Sequence, residues 1–243
     1  MTLLNPAVSA GLAALADGWS TTSVPAEPRP AASVILCRDA DPASAGGPAD
    51  ALDLGLAAPE SAGGGLEVYL LQRHARMEFA ASMAVFPGGG LDPVDQTAAD
   101  PRRACAIRET REETGVGLAA DSLVPWAHWI TPELRPIRYD TFFYLAGLPA
   151  GQTAGDISSE TDAAGWIRPG DAVNAYRTKS LQLMPPTLSI LLELAQTPSV
   201  AAAIERGQDR VIEPVLPKVV RGESGWVYRY PRPGADPSGH RGG

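Results

Sequence analysis

The sequence predicts an α/β fold, an α/β/α sandwich built on a mixed sheet, with C-terminal helices and an extended tail added to it. Three observations predict it. Short apolar, branched runs alternate with capped helical segments along the chain. A triple glycine, Gly88–Gly90, leads into one strongly marked helix. The 243 residues, 44% of them hydrophobic, suffice for one domain with a sizeable core plus extensions.

Residues 1–30 begin with an Ala/Leu segment, 7–16, of helical composition and then turn proline-rich, so they read as a partly flexible N-terminal extension. Residues 33–38 (SVILCR) form a buried strand by their branched apolar run. Residues 39–65 are rich in Ala, Gly, Pro and Asp without useful period, the composition of a flexible insertion between paired strands. Leu66–Arg73 (LEVYLLQR) is the next strand, and residues 83–86 run into the glycine turn. The following helix has marked ends. Asp100 is a good N-cap, Pro101 suits a first turn where its missing N–H costs nothing, and Gly115 suits a left-handed stop, which gives Pro101–Thr114.

Beyond it, residues 123–130 and 138–148 read as strands, the second rich in aromatics. Residues 164–167, with Trp166, form a short strand and Pro169–Arg177 a short helix. Pro185-Pro186-Thr187 opens a helix to about Ala195. Thr197-Pro198 repeats the cap-plus-proline start for another helix, ending near Gly207. From Val211 the scattered prolines predict an extended segment wrapping the domain. The expected organisation is an extension at 1–30, a domain at 31–207 and a tail at 208–243.

Net charge is −8, and only Lys179 and Lys218 are lysines among the 20 basic residues. An acidic chain without a basic run is a poor ligand for a nucleic acid polymer. Cys37 and Cys105 are the only cysteines, and both are expected reduced in a cytoplasmic protein. No Lys or Arg precedes Arg29, which argues against a secretory signal, and no apolar run reaches the roughly 18 residues a membrane span requires.

The chemistry concentrates on the marked helix. Glu109, Glu112 and Glu113 stand at i, i+3 and i+4, so they share one narrow stripe. Like charges there repel by a few tenths of a kcal/mol per pair in water and by more where water is excluded. A hard divalent cation with oxygen ligands turns that repulsion into a site. Cys105 and Ala106, one turn earlier, are small and would leave room for metal and substrate, while Ile107, Thr110 and Thr114 face the core. Arg108, four residues before Glu112, is placed to hold that carboxylate. An Arg/Glu-rich helix is ordinarily a solvated face. The conjunction of Pro87-Gly88-Gly89, a capped helix and R-E-x-x-E-E-x-G is not ordinary.

These residues resemble the Nudix hydrolase family, whose box reads G-x5-E-x7-R-E-U-x-E-E-x-G-U. Arg108, Glu109, Glu112, Glu113, Gly115 and Val116 match it, Gly89 takes the leading position, and Thr110 replaces the aliphatic residue. Gly89 to Arg108 is 19 positions where the pattern has 14. Asp100, eight before the arginine, stands at the spacing of the first Glu and reads as the helix cap. The resemblance implies an α/β/α fold for residues 32–167, with Mg²⁺ or Mn²⁺ held by Glu109, Glu112, Glu113 and the Gly89 carbonyl. It also implies attack of water on a diphosphate, with Glu112, Glu113 or Glu160 as base and Arg108 in support.

A wider set looks like the coenzyme A diphosphatase branch, most similar to its peroxisomal acyl-CoA type. It comprises residues 69–74, Phe79, residues 86–93, Asp95, Trp129-Ile130-Thr131-Pro132, residues 138–143 and Pro185-Pro186-Thr187. Arg73 lies 13 positions before Phe86, as that branch's signature places it, although Glu78 and Ser82 replace its second Arg and its Gly. The implied reaction converts coenzyme A or acyl-CoA to adenosine 3′,5′-bisphosphate and a 4′-phosphopantetheine product. Arg73, His74, Arg76, Arg135 and Arg138 are candidate contacts to the 3′-phosphate. Gly88 and Gly90 let the backbone approach the ligand, and Trp126, Trp129 and the aromatics of 139–144 are candidates to stack adenine. ADP-ribose or a dinucleotide is the alternative substrate. A third reading, a non-catalytic nucleotide-sensing module, fits less well, because such modules typically lose a box carboxylate. The expected partner is a small nucleoside diphosphate derivative, with no membrane and no nucleic acid polymer, and homodimerisation is left open.

Overall fold

A branched apolar run can be buried on both faces, and in the computed structural model β1 (Arg29–Asp39) is the axis of the fold. The structure describes residues 8–20, 22–40, 65–74, 80, 82–155 and 161–230. Side chains alternate along β1, Val34 and Leu36 entering one core and Ile35 and Cys37 the other. One edge of β1 is shared. Its C-terminal end pairs antiparallel with β2 (Leu66–Arg73). Its N-terminal end pairs antiparallel with β4 (Gly88–Gly90). Between these two in sequence, β3 (Ala84–Val85) pairs with β2.

The other edge of β1 runs parallel to β6 (Tyr139–Gly147), from Arg29 opposite Tyr139 to Cys37 opposite Gly147. This pairing explains why β1 starts earlier than its apolar run, since Arg29 and Pro30 are held by the ladder and not by their propensity. β5 (Val124–Ile130) is antiparallel to β6, and β7 (Thr161–Ile167) is antiparallel to β2. The segment 41–64 lies outside the described residues. The strands it joins pair as expected.

Helix α2 (Pro101–Thr114) covers one face of the sheet, packing Cys105 and Ala106 against Val34, Leu36 and Tyr69. Its ends follow the sequence cues. The Asp100 carboxylate accepts from the Arg103 N–H at 3.1 Å, and Gly115, at φ 75°, donates its N–H to the Arg111 carbonyl. Helices α3 (Pro169–Arg177), α4 (Pro185–Leu194) and α5 (Val200–Gln208) cover the other face with Val173, Ile190, Leu191 and Ala203. The cap of α5 differs from the sequence expectation. Ser199 accepts from the Ala202 N–H at 3.2 Å, whereas the Thr197 hydroxyl turns back to the Glu193 carbonyl and closes α4.

The N-terminal helix is α1 (Ala10–Asp17), capped by Ser9. The tail is extended, as expected, but it is also paired. Strand β8 (Pro214–Val215) joins the sheet beside β5, and β9 (Lys218–Gly222) with β10 (Gly225–Arg229) forms a hairpin. That hairpin and α1 clasp each other. Leu12 and Ala16 pack against Leu134, Trp226 and Tyr228. The Val8 N–H donates to the Trp226 carbonyl at 3.1 Å, and the Trp226 indole N–H donates to Asp17 at 2.9 Å. No helix among the described residues is long and apolar enough to cross a membrane.

Gly207 lets α5 lie close to β5, since a Cβ there would stand 2.6 Å from a Val124 methyl and 3.4 Å from the Trp126 ring. Gly207→Ala gains about 1 kcal/mol of helix propensity but overpacks a filled contact, at a cost of about 1–3 kcal/mol. We expect a net loss of stability in urea denaturation. An unchanged or raised midpoint would show that α5 can lift off without penalty.

Candidate active site

Three glycines in succession are poor strand formers, and β4 exists because its neighbours pin it. The Ser33 hydroxyl donates to the Pro87 carbonyl at 2.7 Å, and the Val34 N–H donates to the same oxygen at 2.8 Å. Gly88 has φ 154° and no room for a side chain, because a Cβ would lie 2.6 Å from Ser33 Cα. Its N–H donates to the Glu113 carboxylate at 2.8 Å. At Gly89 a Cβ would stand 2.6 Å from the Glu109 carboxyl carbon. Backbone and two carboxylates of α2 thus meet where only glycine fits.

Cys105 and Ala106 do not leave an open space, as the helical stripe suggested. Both are fully buried, and the Cys105 thiol points at the Gly89 and Gly90 carbonyls, 3.5 and 3.4 Å away. Small side chains are needed here because helix and turn approach so closely. Burial pushes the Cys105 thiol up to about 12, so it stays protonated.

Arg108 organises the acids. Its Nε and Nη2 donate to Asp95 at 3.1 and 2.8 Å, and Nη2 also reaches the Gly90 carbonyl at 3.2 Å. Its Nη1 donates to Glu109 and to Glu112, each at 3.0 Å. The mutual repulsion read from the sequence is therefore offset in part by the chain's own guanidinium. The three glutamates also sit at different depths. Glu113 is buried, Glu109 keeps 17% of its side chain exposed and Glu112 keeps 53%. Burial raises the Glu109 carboxyl above its ordinary range, opposed by Arg108. Hydrogen bonds from Arg108 hold the Asp95 carboxyl below its range, against the effect of burial.

Asp95 was not singled out as a site residue, although the signal is in the sequence. Counted forward from Gly89 it occupies the acidic position of G-x5-E, and the extra residues lie between it and the helix. Counting back from Arg108 lands on Asp100, which caps α2.

The glycine turn, Glu109 and Glu113 form one end of a cleft of about 1140 Å³. Aromatic rings from three strands line it further along, namely Trp129, Tyr139, Phe143 and Tyr228. Arg73 and Arg135 line it as well, and so do Arg177 at the end of α3 and Lys179 in the turn after it, neither of them among the candidate contacts read from the sequence. His74 stands 3.6 Å from Asp162. Glu112 and Arg138 are not among the lining residues. Arg138 is buried, donating to the Thr131 carbonyl at 3.0 Å and to the Ala26 carbonyl at 2.6 Å. It ties the segment before β1 to the β5–β6 loop, where a phosphate contact would leave these carbonyls unpaired. Trp126 belongs to the core beneath Arg210 and not to the cleft. Arg76 and Glu160 lie outside the described residues.

Among the described residues no three acidic or His/Cys side chains are already gathered around a common point. The donors at hand are nonetheless all oxygens: Glu109, Glu113 and, one turn after Glu109, Glu112, with the Gly89 backbone against the Glu109 carboxylate. That set fits a hard cation such as Mg²⁺ or Mn²⁺. The Cβ-free backbone at Gly89 fits it too, because it lets the glycine turn come up against the Glu109 carboxylate.

The Asp95–Arg108 pair has a pH signature. A carboxyl held low in the folded state contributes stability that is complete above its ordinary value, near pH 4, and is lost as pH falls through the lowered value. Asp95→Asn should remove about 1–3 kcal/mol near neutrality and flatten the acid limb of urea midpoints plotted against pH. A variant with the same acid limb as the parent would show that this pair carries no such linkage.

Comparison with known proteins places these observations. The NUDIX domain family matches residues 56–185. A protein of Caenorhabditis elegans called putative nudix hydrolase 7 is 27% identical over 190 residues, 63% of this chain and 63% of its own length. The acyl-coenzyme A diphosphatase NUDT19 of Gallus gallus is 25% identical over 270 residues, 68% of this chain and 71% of that protein. Among solved structures, a NUDIX hydrolase from Alicyclobacillus acidocaldarius aligns with a TM-score of 0.55 and 23% identity, covering 74% of this chain and 96% of that one. The structural likeness speaks for the fold.

Proposed function

This chain belongs to the Nudix family, and from that premise we propose that it hydrolyses the diphosphate bond of a nucleoside diphosphate conjugate, coenzyme A or an acyl-CoA before others. The observation that carries the reading is the meeting of Glu109 and Glu113 with the Gly88–Gly90 turn at one end of a cleft that also holds cations and aromatic rings. Water adds to one phosphorus, the bridging P–O bond breaks, and the products are adenosine 3′,5′-bisphosphate and 4′-phosphopantetheine or its acyl ester.

Glu109, Glu112, Glu113 and the Gly89 carbonyl are the groups that would hold Mg²⁺ or Mn²⁺. When bound, such a cation neutralises phosphoryl oxygens, polarises phosphorus and acidifies water. The rest falls to the chain. Arg108 keeps Glu109 and Glu112 in place and ties the helix to the Gly90 carbonyl. Gly88 orients Glu113 through its N–H. Glu112 and Glu113 are the base candidates, with Glu160 a third.

Two features favour coenzyme A species. A relative named for acyl-CoA diphosphatase activity aligns over two thirds of the chain. The cleft is also lined by apolar residues, Phe143, Leu183 and Met184 among them, which suit a pantetheine arm. ADP-ribose or a dinucleotide is the second reading, because the acidic end would serve any diphosphate.

Purified protein with Mg²⁺ or Mn²⁺ and a panel of coenzyme A, acyl-CoA, ADP-ribose and dinucleotides should release adenosine 3′,5′-bisphosphate fastest from the coenzyme A species. Preference for ADP-ribose over all of them would reverse the ranking. Chelation should abolish turnover and either cation restore it. Glu112→Gln, at an exposed position, should keep the fold and lose about 10²–10⁴-fold in kcat. Near-normal turnover of that variant would remove Glu112 from the mechanism.

A further inference from the structure

We propose that the turn following α3 is a second anion subsite, in which Lys179 and Arg177 hold a phosphomonoester on the nucleotide's sugar, apart from the scissile diphosphate. It rests on the coenzyme A reading above and deepens it by assigning the 3′-phosphate to residues outside the Nudix box.

The cleft is charged unevenly. Its acids, Glu109 and Glu113, belong to α2 on one face of the sheet. Arg177, the last residue of α3, and Lys179, in the turn after it, belong to the other face, and Arg135 lines the same cleft from the β5–β6 loop. A chain of net charge −8 with two lysines in all places one of them here. A ligand that fills this cleft therefore meets two distinct requirements, a cation-bridged diphosphate at the glycine turn and a separate negative group near Lys179.

The backbone points the same way. Lys179 has φ 64°, a left-handed conformation that residues with a Cβ rarely adopt. The turn is held by the Lys179 N–H to the Tyr176 carbonyl at 3.1 Å and by the Ser180 N–H to the Ala175 carbonyl at 3.0 Å. Glycine would satisfy this geometry without strain, so what a lysine adds at this lining position is its ammonium. Among the described residues that ammonium has no ion pair, and Arg177 has a single side-chain acceptor, Asn174 Oδ1 at 3.4 Å. Cations elsewhere are committed, Arg38 to Glu67 and Arg102 to Asp140, for example.

The ligand class follows from the donors. A phosphomonoester carries close to two charges and three acceptor oxygens near neutrality, matching a mobile point charge beside a planar fork. A bare ribose hydroxyl offers neither, so the pair discriminates coenzyme A from its 3′-dephospho form.

The test is the ratio of kcat/KM for coenzyme A to that for 3′-dephospho-coenzyme A, read alongside equilibrium binding of adenosine 3′,5′-bisphosphate and of AMP. The parent protein should favour the 3′-phosphorylated member of each pair. Lys179→Gly suits the left-handed backbone, so its thermal midpoint should hold or rise while both preferences fall roughly tenfold. Lys179→Arg should keep them. Hydrolysis of coenzyme A with both ratios unmoved in Lys179→Gly overturns the subsite and leaves the diphosphatase reading standing. If no coenzyme A species is hydrolysed, that reading falls, and binding alone decides the subsite: a bisphosphate preference lost in Lys179→Gly supports it, and equal binding of the two nucleotides overturns it.

Discussion

Arg108 stands among Asp92, Asp95, Glu109 and Glu112 and also reaches the Gly90 carbonyl. Remove that cation and the helix and the turn lose their common partner, while Asp95 is left buried with a charge and no counterion. Breaking such a pair on one side ordinarily costs several kcal/mol, because the orphaned charge keeps its desolvation penalty. The guanidinium thus does two things at once. It lets acids gather beside a glycine backbone, and it fixes their spacing before any ligand arrives. Glu109 and Glu113 can then present oxygen to the cleft without first paying to be brought together.

Much of this was legible because it is local. Asp100, Pro101 and Gly115 mark the ends of α2 by side-chain chemistry that acts within one turn, and the helix runs between them as read. β2 likewise spans the segment Leu66–Arg73 that was read as a strand. The failures are non-local. Arg138 looked like one more cation ahead of an aromatic strand, and nothing in its neighbours reveals that Ala26, 112 positions away, takes its guanidinium. Asp95 was hidden by the direction of counting. The tail's prolines suggested an extended wrap, and β8 finds an edge of the sheet that only the fold supplies.

The comparisons and the geometry bear on different questions. Family membership explains why a glycine turn and an acidic helix face each other, and the solved relative shares the fold around them. The cleft's other walls come from elements outside the Nudix box, most of them within the matched span of 56–185, with Val8, Ser9, Pro217 and Tyr228 added from beyond it. Selection among diphosphates therefore depends on parts of the chain that the family motif does not describe.

The clasp between α1 and the C-terminal hairpin carries a dynamic consequence. It closes a loop of more than two hundred residues through a few contacts, so the entropy of closure falls due only after the sheet between them is in place. Such a junction forms late and opens early, as one cooperative unit with a lower opening free energy than the central strands. Because Val8, Ser9 and Tyr228 border the cleft, each opening would widen it and each closing narrow it, coupling the breathing of two remote stretches of chain to the passage of ligand.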